Sequence, residues 1–416
     1  MDCGATATAE TAVSICPICG GLYEVDLELG PLDRGVFDRN ATGDKFFSGV
    51  WRYQVMLPRL PEDAIVSRAE GRTPIYWDER IAAYAGVRLL GLKHEGQNPT
   101  ASFKDRGMTV GVSHARAVGA KIVACASTGN TSASLASYAA AGGLQGLVII
   151  PEGKIAGGKL AQTIAMGARI VQIDGDFDIA LALLRQLTDK YPVYLVNSVN
   201  PFRIEGQKTI VIEMLEQLGW EIPDVIALPG GNLGNTAAFG KALADLHATG
   251  LIDRLPRLMT IQAEGAAPFA DYFDSGFDRY EAVKAETIAT AIKIGDPASM
   301  QRARRAIQLS DGHVARVSDD EILAAKSWID RVGIGCEPAS AASLAGVKKL
   351  VAAGEIDPEA KVVGVLTGQL LKDADAVIGY HLGALGGPDR PNINRPVTIE
   401  PTLAALERTL ADALSG

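Results

Sequence analysis

From Lys121 onward the chain alternates unbroken apolar runs of strand length with segments of helix length, and few architectures accept that pattern. Residues 121–126, 147–151, 169–173 and 193–197 are the first strands, with helices over 131–141, 158–166 and 177–190 between them. Gly142-Gly143 and Gly167 stop the first two helices, as glycine does after a last turn. A strand with one wet face alternates apolar and polar residues. A continuously apolar strand is covered on both faces, as in a parallel sheet with helices above and below. The alternation resumes with strands at 224–229, 257–262 and 361–366 and helices at 235–247, 318–332 and 339–353. The expected fold class is therefore α/β, with mainly parallel sheets.

The chain's 416 residues, 47% of them hydrophobic, leave room for two or three domains. The formal net charge of −9, with no basic block, argues against nucleic acid and anionic membranes as partners. No apolar run reaches membrane-spanning length, and residues 1–15 lack the basic and apolar regions of a signal peptide, so a cytoplasmic protein is expected. Five cysteines in so long a chain do not make a disulfide framework. Cys16 and Cys19 have the spacing of a zinc knuckle, but a closed site needs four ligands. Only Cys3 is near enough in sequence to be a third, and no histidine precedes His94. The expectation is a metal-free turn, with Cys3, Cys16 and Cys19 as the set that a metal would use. Residues 1–45 read as a small N-terminal module, with 22–25 strand-like and 30–45 a linker.

Polar turns at strand ends carry the candidate chemistry, because open parallel sheets bind ligands at the carboxyl ends of their strands. The run His94–Met108 (HEGQNPTASFKDRGM) follows an apolar strand over 86–93 and turns at Asn98-Pro99-Thr100. With Ser102 as N-cap, Lys104 falls in the first helical turn. The helix dipole there favours loss of its proton, which suits a nucleophilic amine. Ser127, Thr128, Gly129, Asn130 and Thr131 open a helix with N–H groups and hydroxyls suited to a carboxylate. Gly230, Gly231, Asn232, Leu233, Gly234 and Asn235 form a glycine turn suited to a phosphate, with neither dinucleotide nor P-loop spacing. Asn197, Ser198, Arg203 and Lys208 cluster polar and cationic groups fit for a second phosphate. Thr367 follows the strand at 361–366. A reactive lysine, a phosphate cup and a second anion site together point to pyridoxal 5'-phosphate and a phosphorylated substrate.

These segments resemble threonine synthases in order and spacing, from about Trp51 to near Thr398. His94–Met108 is similar to their cofactor-lysine segment, with Ala101 where the family has glycine. The STGNTS run at 127–132, the 197–208 segment and the GGNLGN run at 230–235 also match. So do IGDPAS at 294–299 and CEPASA at 336–341. The resemblance implies a fold-type-II pyridoxal phosphate enzyme with a small α/β domain at 110–212 inserted in a large one, 46–109 plus 213–416. It implies conversion of O-phospho-L-homoserine and water to L-threonine and phosphate, by a homodimer. Lys104 would carry the cofactor, Asn130 would bond its ring oxygen, Thr367 would face its ring nitrogen, and 230–235 would hold its phosphate. Ser127, Thr128 and Thr131 would take the substrate carboxylate; Asn197, Ser198, Arg203 and Lys208 would take its phosphate. One departure stands out: Gln369-Leu370 replaces the family's histidine and glycine. It keeps open a related enzyme, cysteate-synthase-like or a threonine/serine dehydratase. A binding protein that merely kept the fold would not need Lys104.

Overall fold

The apolar runs pair side by side into two sheets. In a computed structural model, the residues described are 3–10, 14–38, 48–152, 157–175 and 177–415. The larger sheet contains β1 (Ile75–Trp77), β2 (Leu89–His94), β7 (Val225–Pro229), β8 (Arg257–Ala263), β9 (His313–Val317) and β10 (Lys361–Leu366). The smaller contains β3 (Ile122–Ala126), β4 (Gln145–Pro151), β5 (Arg169–Ile173) and β6 (Val193–Leu195). The strand orders are β1-β2-β10-β7-β8-β9 and β5-β4-β3-β6. Every pairing is parallel except β1 on β2.

Burial explains the unbroken runs. In the small sheet Val123, Cys125, Val148 and Ile150 face one core with Leu135 and Tyr138, while Ala124, Ala126 and Ile149 face another with Ala180 and Leu184. In the large sheet Ile226, Leu228, Val363 and Val365 share one core, and Val225, Ala227, Val362 and Leu366 the other. Successive residues point to opposite faces, so a strand covered on both sides must be apolar at every position.

The small sheet lies within 122–195, but helices Lys104–Ala117 and Pro201–Gln217 cross the expected domain limits at 110 and 212. They pack directly on each other. A Cβ added to Gly206 would stand 1.9 Å from the Arg106 carbonyl oxygen, so glycine is what allows this close crossing. The helix Asp319–Arg331 starts at Ser318 with a capping box to Glu321.

Two readings of the N-terminal region need correction. Residues 22–25 form no strand; only an isolated bridge joins Leu22 to Ile15. The described part of the 30–45 linker is not free chain, since the short helix Arg34–Phe37 buries Phe37 against Tyr53 and Trp220. Residues 39–47 lie outside the described set.

Candidate active site

β2 delivers the chain to a turn built from buried polar groups. Arg106 binds the Glu95 carboxylate through Nε at 2.6 Å and Nη2 at 2.8 Å, and Asn98 donates to the Glu95 carbonyl at 2.7 Å. The Asp105 carboxylate accepts from the Thr100 amide, the Thr100 hydroxyl and the Ser134 hydroxyl, each at 2.6 Å. Burial pushes that carboxyl up to about 6, against the pull of these donors. The helix then starts at Lys104, with Phe103 rather than Ser102 in the cap position and no side-chain cap bond. Ser102 instead bridges to Gly368, at the end of β10.

Lys104 is half-buried, its Nζ 3.9 Å from the centroid of the Phe103 ring. Burial lowers its ammonium to about 7; Arg203 adds to the effect and Glu337 opposes it. Loss of solvent around the amine, more than the helix dipole invoked from sequence, is what frees it.

The end of β10 is stitched to the lysine turn: Phe103 N–H donates to the Thr367 carbonyl, and Gln369 N–H to the Ala101 carbonyl, both at 3.0 Å. Thr367 is buried, its hydroxyl 3.1 Å from that of Ser340. Ser340 Oγ also accepts from Gly368 N–H at 2.9 Å. Asn130 Nδ2 donates to the two Glu337 oxygens at 3.0 and 3.2 Å. Gln369 uses its side-chain oxygen to accept from Leu371 N–H at 2.7 Å, capping the short helix Leu370–Asp373.

The carboxylate and phosphate candidates divide. Ser127, Thr128 and Thr131 are half-buried, and the helix Asn130–Ala141 begins at Gly129 with no side-chain cap, so its first N–H groups are unused by a cap. Ser198 is half-buried in the turn after β6. Asn197 is committed elsewhere: its amide accepts from Ala126 N–H and donates to Ala126 C=O, both at 3.0 Å, which ties this loop to β3. Arg203 is buried and donates through Nη1 to the Val196 carbonyl at 3.0 Å, while its Nε has no partner. Burial lowers this guanidinium to about 10. Lys208 requires correction. It is buried against Glu205 at 2.6 Å and Asp245 at 2.8 Å, so its charge is already spent inside the protein and it leaves the substrate set.

Gly230–Asn235 links β7 to the helix Gly234–Ala248, which also starts without a side-chain cap. A Cβ on Gly230 would fall 2.6 Å from Thr260, and one on Gly231 3.0 Å from the Ile292 backbone. Leu233 turns with φ +62°. Asn232 accepts from Ala298 N–H at 3.3 Å and so joins the 294–299 segment to the cup. Gln207 lies between the cup and the lysine helix, against both Gly234 and Gly107.

Pyridoxal phosphate fits these residues. Among the described residues, the buried Asn130 Oδ1, Arg203 Nε, Asn235 Oδ1, Gln207 Oε1 and Ser299 Oγ have no hydrogen-bond partner, and buried polar atoms rarely stay unpaired. The sequence reading assigned no role to Asp105, Gln207, Ser299, Glu337 or Ser340. Glu337 and Ser340 do lie in a segment it matched to the family, but their partners are 207 and 27 residues away, beyond any local signal. Separately, the Cys3, Cys16 and Cys19 sulfurs come within 4.8 Å of one another.

A family model described as "Pyridoxal-phosphate dependent enzyme" matches residues 66–368. The chain is 45% identical over 414 residues to threonine synthase of Methanocaldococcus jannaschii, covering 99% of this chain and 98% of that protein. It is 49% identical over 329 residues to threonine synthase of Mycobacterium leprae, covering 78% and 89%. A solved threonine deaminase from Solanum lycopersicum superposes with a TM-score of 0.63 at 20% identity, over 79% of this chain and 92% of that one, which speaks to the fold alone. With lysine, cup and sheet ends arranged in this way, the chain belongs to the pyridoxal-phosphate-dependent enzymes of fold type II, within their threonine synthase family.

Proposed function

We propose that this enzyme converts O-phospho-L-homoserine and water to L-threonine and phosphate. The observation that carries the reading is the pairing of a half-buried Lys104 at the start of its helix with a buried Arg203 whose Nε has no partner among the described residues. Lys104 would hold the cofactor, residues 230–235 with Ser299 would hold its phosphate, and Asn130 would bond its ring oxygen. Pyridoxal phosphate, when bound, supplies an electron sink for the charge left on an amino acid's α-carbon.

The chain's own groups do the rest. Ser127, Thr128, Thr131 and the first N–H groups of the Asn130–Ala141 helix orient the substrate carboxylate. Arg203, with Ser198, takes the substrate phosphate, and its unpartnered Nε supports that role. Lys104 takes the α-proton; a β-proton is lost as phosphate leaves the γ-carbon with its bonding pair, a proton returns to the γ-carbon, water adds its oxygen at the β-carbon and releases a proton to the phosphate, and a proton returns to the α-carbon. Thr367, backed by Ser340, would face the ring nitrogen with a neutral hydroxyl, which does not hold that nitrogen protonated.

A homodimer belongs to the same proposal: Leu403, Leu406 and Leu410 stand exposed along one face of the helix Leu403–Ser415. A cytoplasmic location is supported by five cysteines that are all free thiols. Phosphate release and the amino-acid product, measured for O-phosphohomoserine and O-phosphoserine side by side, test the activity. Threonine from the first substrate is expected. Its absence, or a 2-oxo acid with ammonia from threonine or serine instead, overturns the reading in favour of a dehydratase.

A further inference from the structure

The N-terminal cysteines are arranged more closely than their sequence count implies. Cys3 and Cys16 sulfurs are 3.7 Å apart, and Cys19 joins them with all three within 4.8 Å. That spacing is far beyond a disulfide's ~2.05 Å. It matches the edge of a tetrahedron of thiolates around zinc, which at ~2.3 Å per Zn–S bond is about 3.8 Å.

The backbone is shaped to the same end. Cys16 N–H donates to the Gly21 carbonyl at 2.7 Å and Gly20 N–H to the Cys16 carbonyl at 2.9 Å, closing a tight turn between the bridged residues Ile15 and Leu22. Gly20 occupies φ +73°, a conformation that glycine adopts without cost. Cys16 is buried, while Cys3 and Cys19 are exposed, so the cluster is open on one side.

We propose that Cys3, Cys16 and Cys19 bind one zinc ion as a three-thiolate site, with an oxygen donor in the fourth position. Among the described residues no further His, Cys, Asp or Glu joins the three. The thiols release their protons on binding, and no oxidant is needed. The role is structural. The ion closes the loop from Cys3 to Cys16, which carries the Ala9 carbonyl to within 2.5 Å of His114 Nε2 on the lysine helix. The strand of chain that follows is clamped by Glu24 to Arg305 at 2.8 Å. A metal at the three sulfurs therefore staples the N-terminal segment across the body of the enzyme.

The holoenzyme, purified under reducing conditions, tests this. Metal analysis is expected to return one zinc per chain, and cobalt substitution an intense thiolate-to-cobalt absorption with the visible bands of a tetrahedral ion. Combined Cys3→Ser and Cys19→Ser substitution is expected to abolish both signals and to expose the N-terminal segment to protease, while the cofactor absorbance persists. Three results would overturn the proposal: no zinc or cobalt bound by the reduced wild-type protein, metal retained in the double variant, or a mass showing Cys3 and Cys16 disulfide-linked in the native enzyme. The cobalt spectrum reads the wild-type protein, so it stands even if the variant folds poorly.

Discussion

The surroundings of Lys104 desolvate it without giving its charge a close partner. Burial favours the neutral amine, so its pKa falls from that of an ordinary lysine to about 7. In cofactor-free enzyme, the rate of covalent cofactor attachment should rise through pH 7 and level off above it, whereas a solvated lysine would keep gaining to about pH 10. Stopped-flow absorbance of the lysine-bound cofactor would measure this, and a rate still climbing at pH 9 would contradict it. Arg203 and Lys208, one turn and a little more apart on the same helix, should separate cleanly. Arg203→Ala should reduce kcat/KM for the phosphorylated substrate by about 10- to 100-fold, the worth of one or two charged hydrogen bonds. Lys208→Met should instead cost about 3 kcal/mol of stability, since it strands the buried Glu205 carboxylate, and leave KM near wild type. Denaturant titration and steady-state kinetics on both variants distinguish the roles. Ala101, where the family has glycine, sits at φ +64°. That left-handed conformation strains any residue with a Cβ, so Ala101→Gly should raise stability by about 1 kcal/mol, readable as a shifted urea midpoint. The sequence marked this position as a departure; only the backbone angle says what the departure costs.

At the scale of elements, one buried charge network sets the lysine helix in place. Glu213, on the Pro201–Gln217 helix, accepts from Lys93 of β2 and from Arg106 of the Lys104–Ala117 helix, each at 2.6 Å. Glu95 completes the set through Arg106. Burial opposes ionisation of Glu213, but Arg106 and Lys93 outweigh it and hold the carboxyl well below the usual range. Glu213→Ala should therefore destabilise the enzyme by about 3–5 kcal/mol, because it leaves two buried cations short of a partner. The same sign gives the pH dependence: the contribution of Glu213 is full above the ordinary glutamate range and is lost as pH falls through its depressed value. A chemical-denaturation series from pH 7 downward should show wild type losing its advantage over the variant. Arg106 and Glu95 stand in the sequence motif around Lys104, yet Glu213 lies 107 residues beyond Arg106, and no spacing rule reaches that far.

For the whole molecule, the site is a seam between two sheets. Among the candidates, Lys104 and Thr367 come from strand ends of the large sheet and Ser127–Thr131 and Ser198 from those of the small sheet, with Asn130 reaching Glu337 and Ser134 reaching Asp105 across them. A cofactor that touches both sides stabilises only the assembled state. Removing it should lower Tm, and adding it back should restore Tm in proportion to the logarithm of its concentration. Calorimetry would show whether the two sheets then melt together. Much of this plan was legible in the chain alone. Most of the apolar runs are strands covered on both faces, the largely exposed edge strand β5 excepted, and the polar turns that follow them mark the ligand side of a parallel sheet. The same reasoning singled out the lysine, the glycine turn and the threonine at 367 as candidates. The tertiary structure decided which charges are free to act. Lys208 and Asn197 looked like ligands for a phosphate, yet one is neutralised by Glu205 and Asp245 and the other is bound to the β3 backbone. Glu337 and Ser340 had no assigned role, yet they stand against Asn130 and Thr367. Periodicity fixes which face of an element a residue occupies; only the crossing of helices and the docking of strand ends fixes which residue, tens or hundreds of positions away, meets it there.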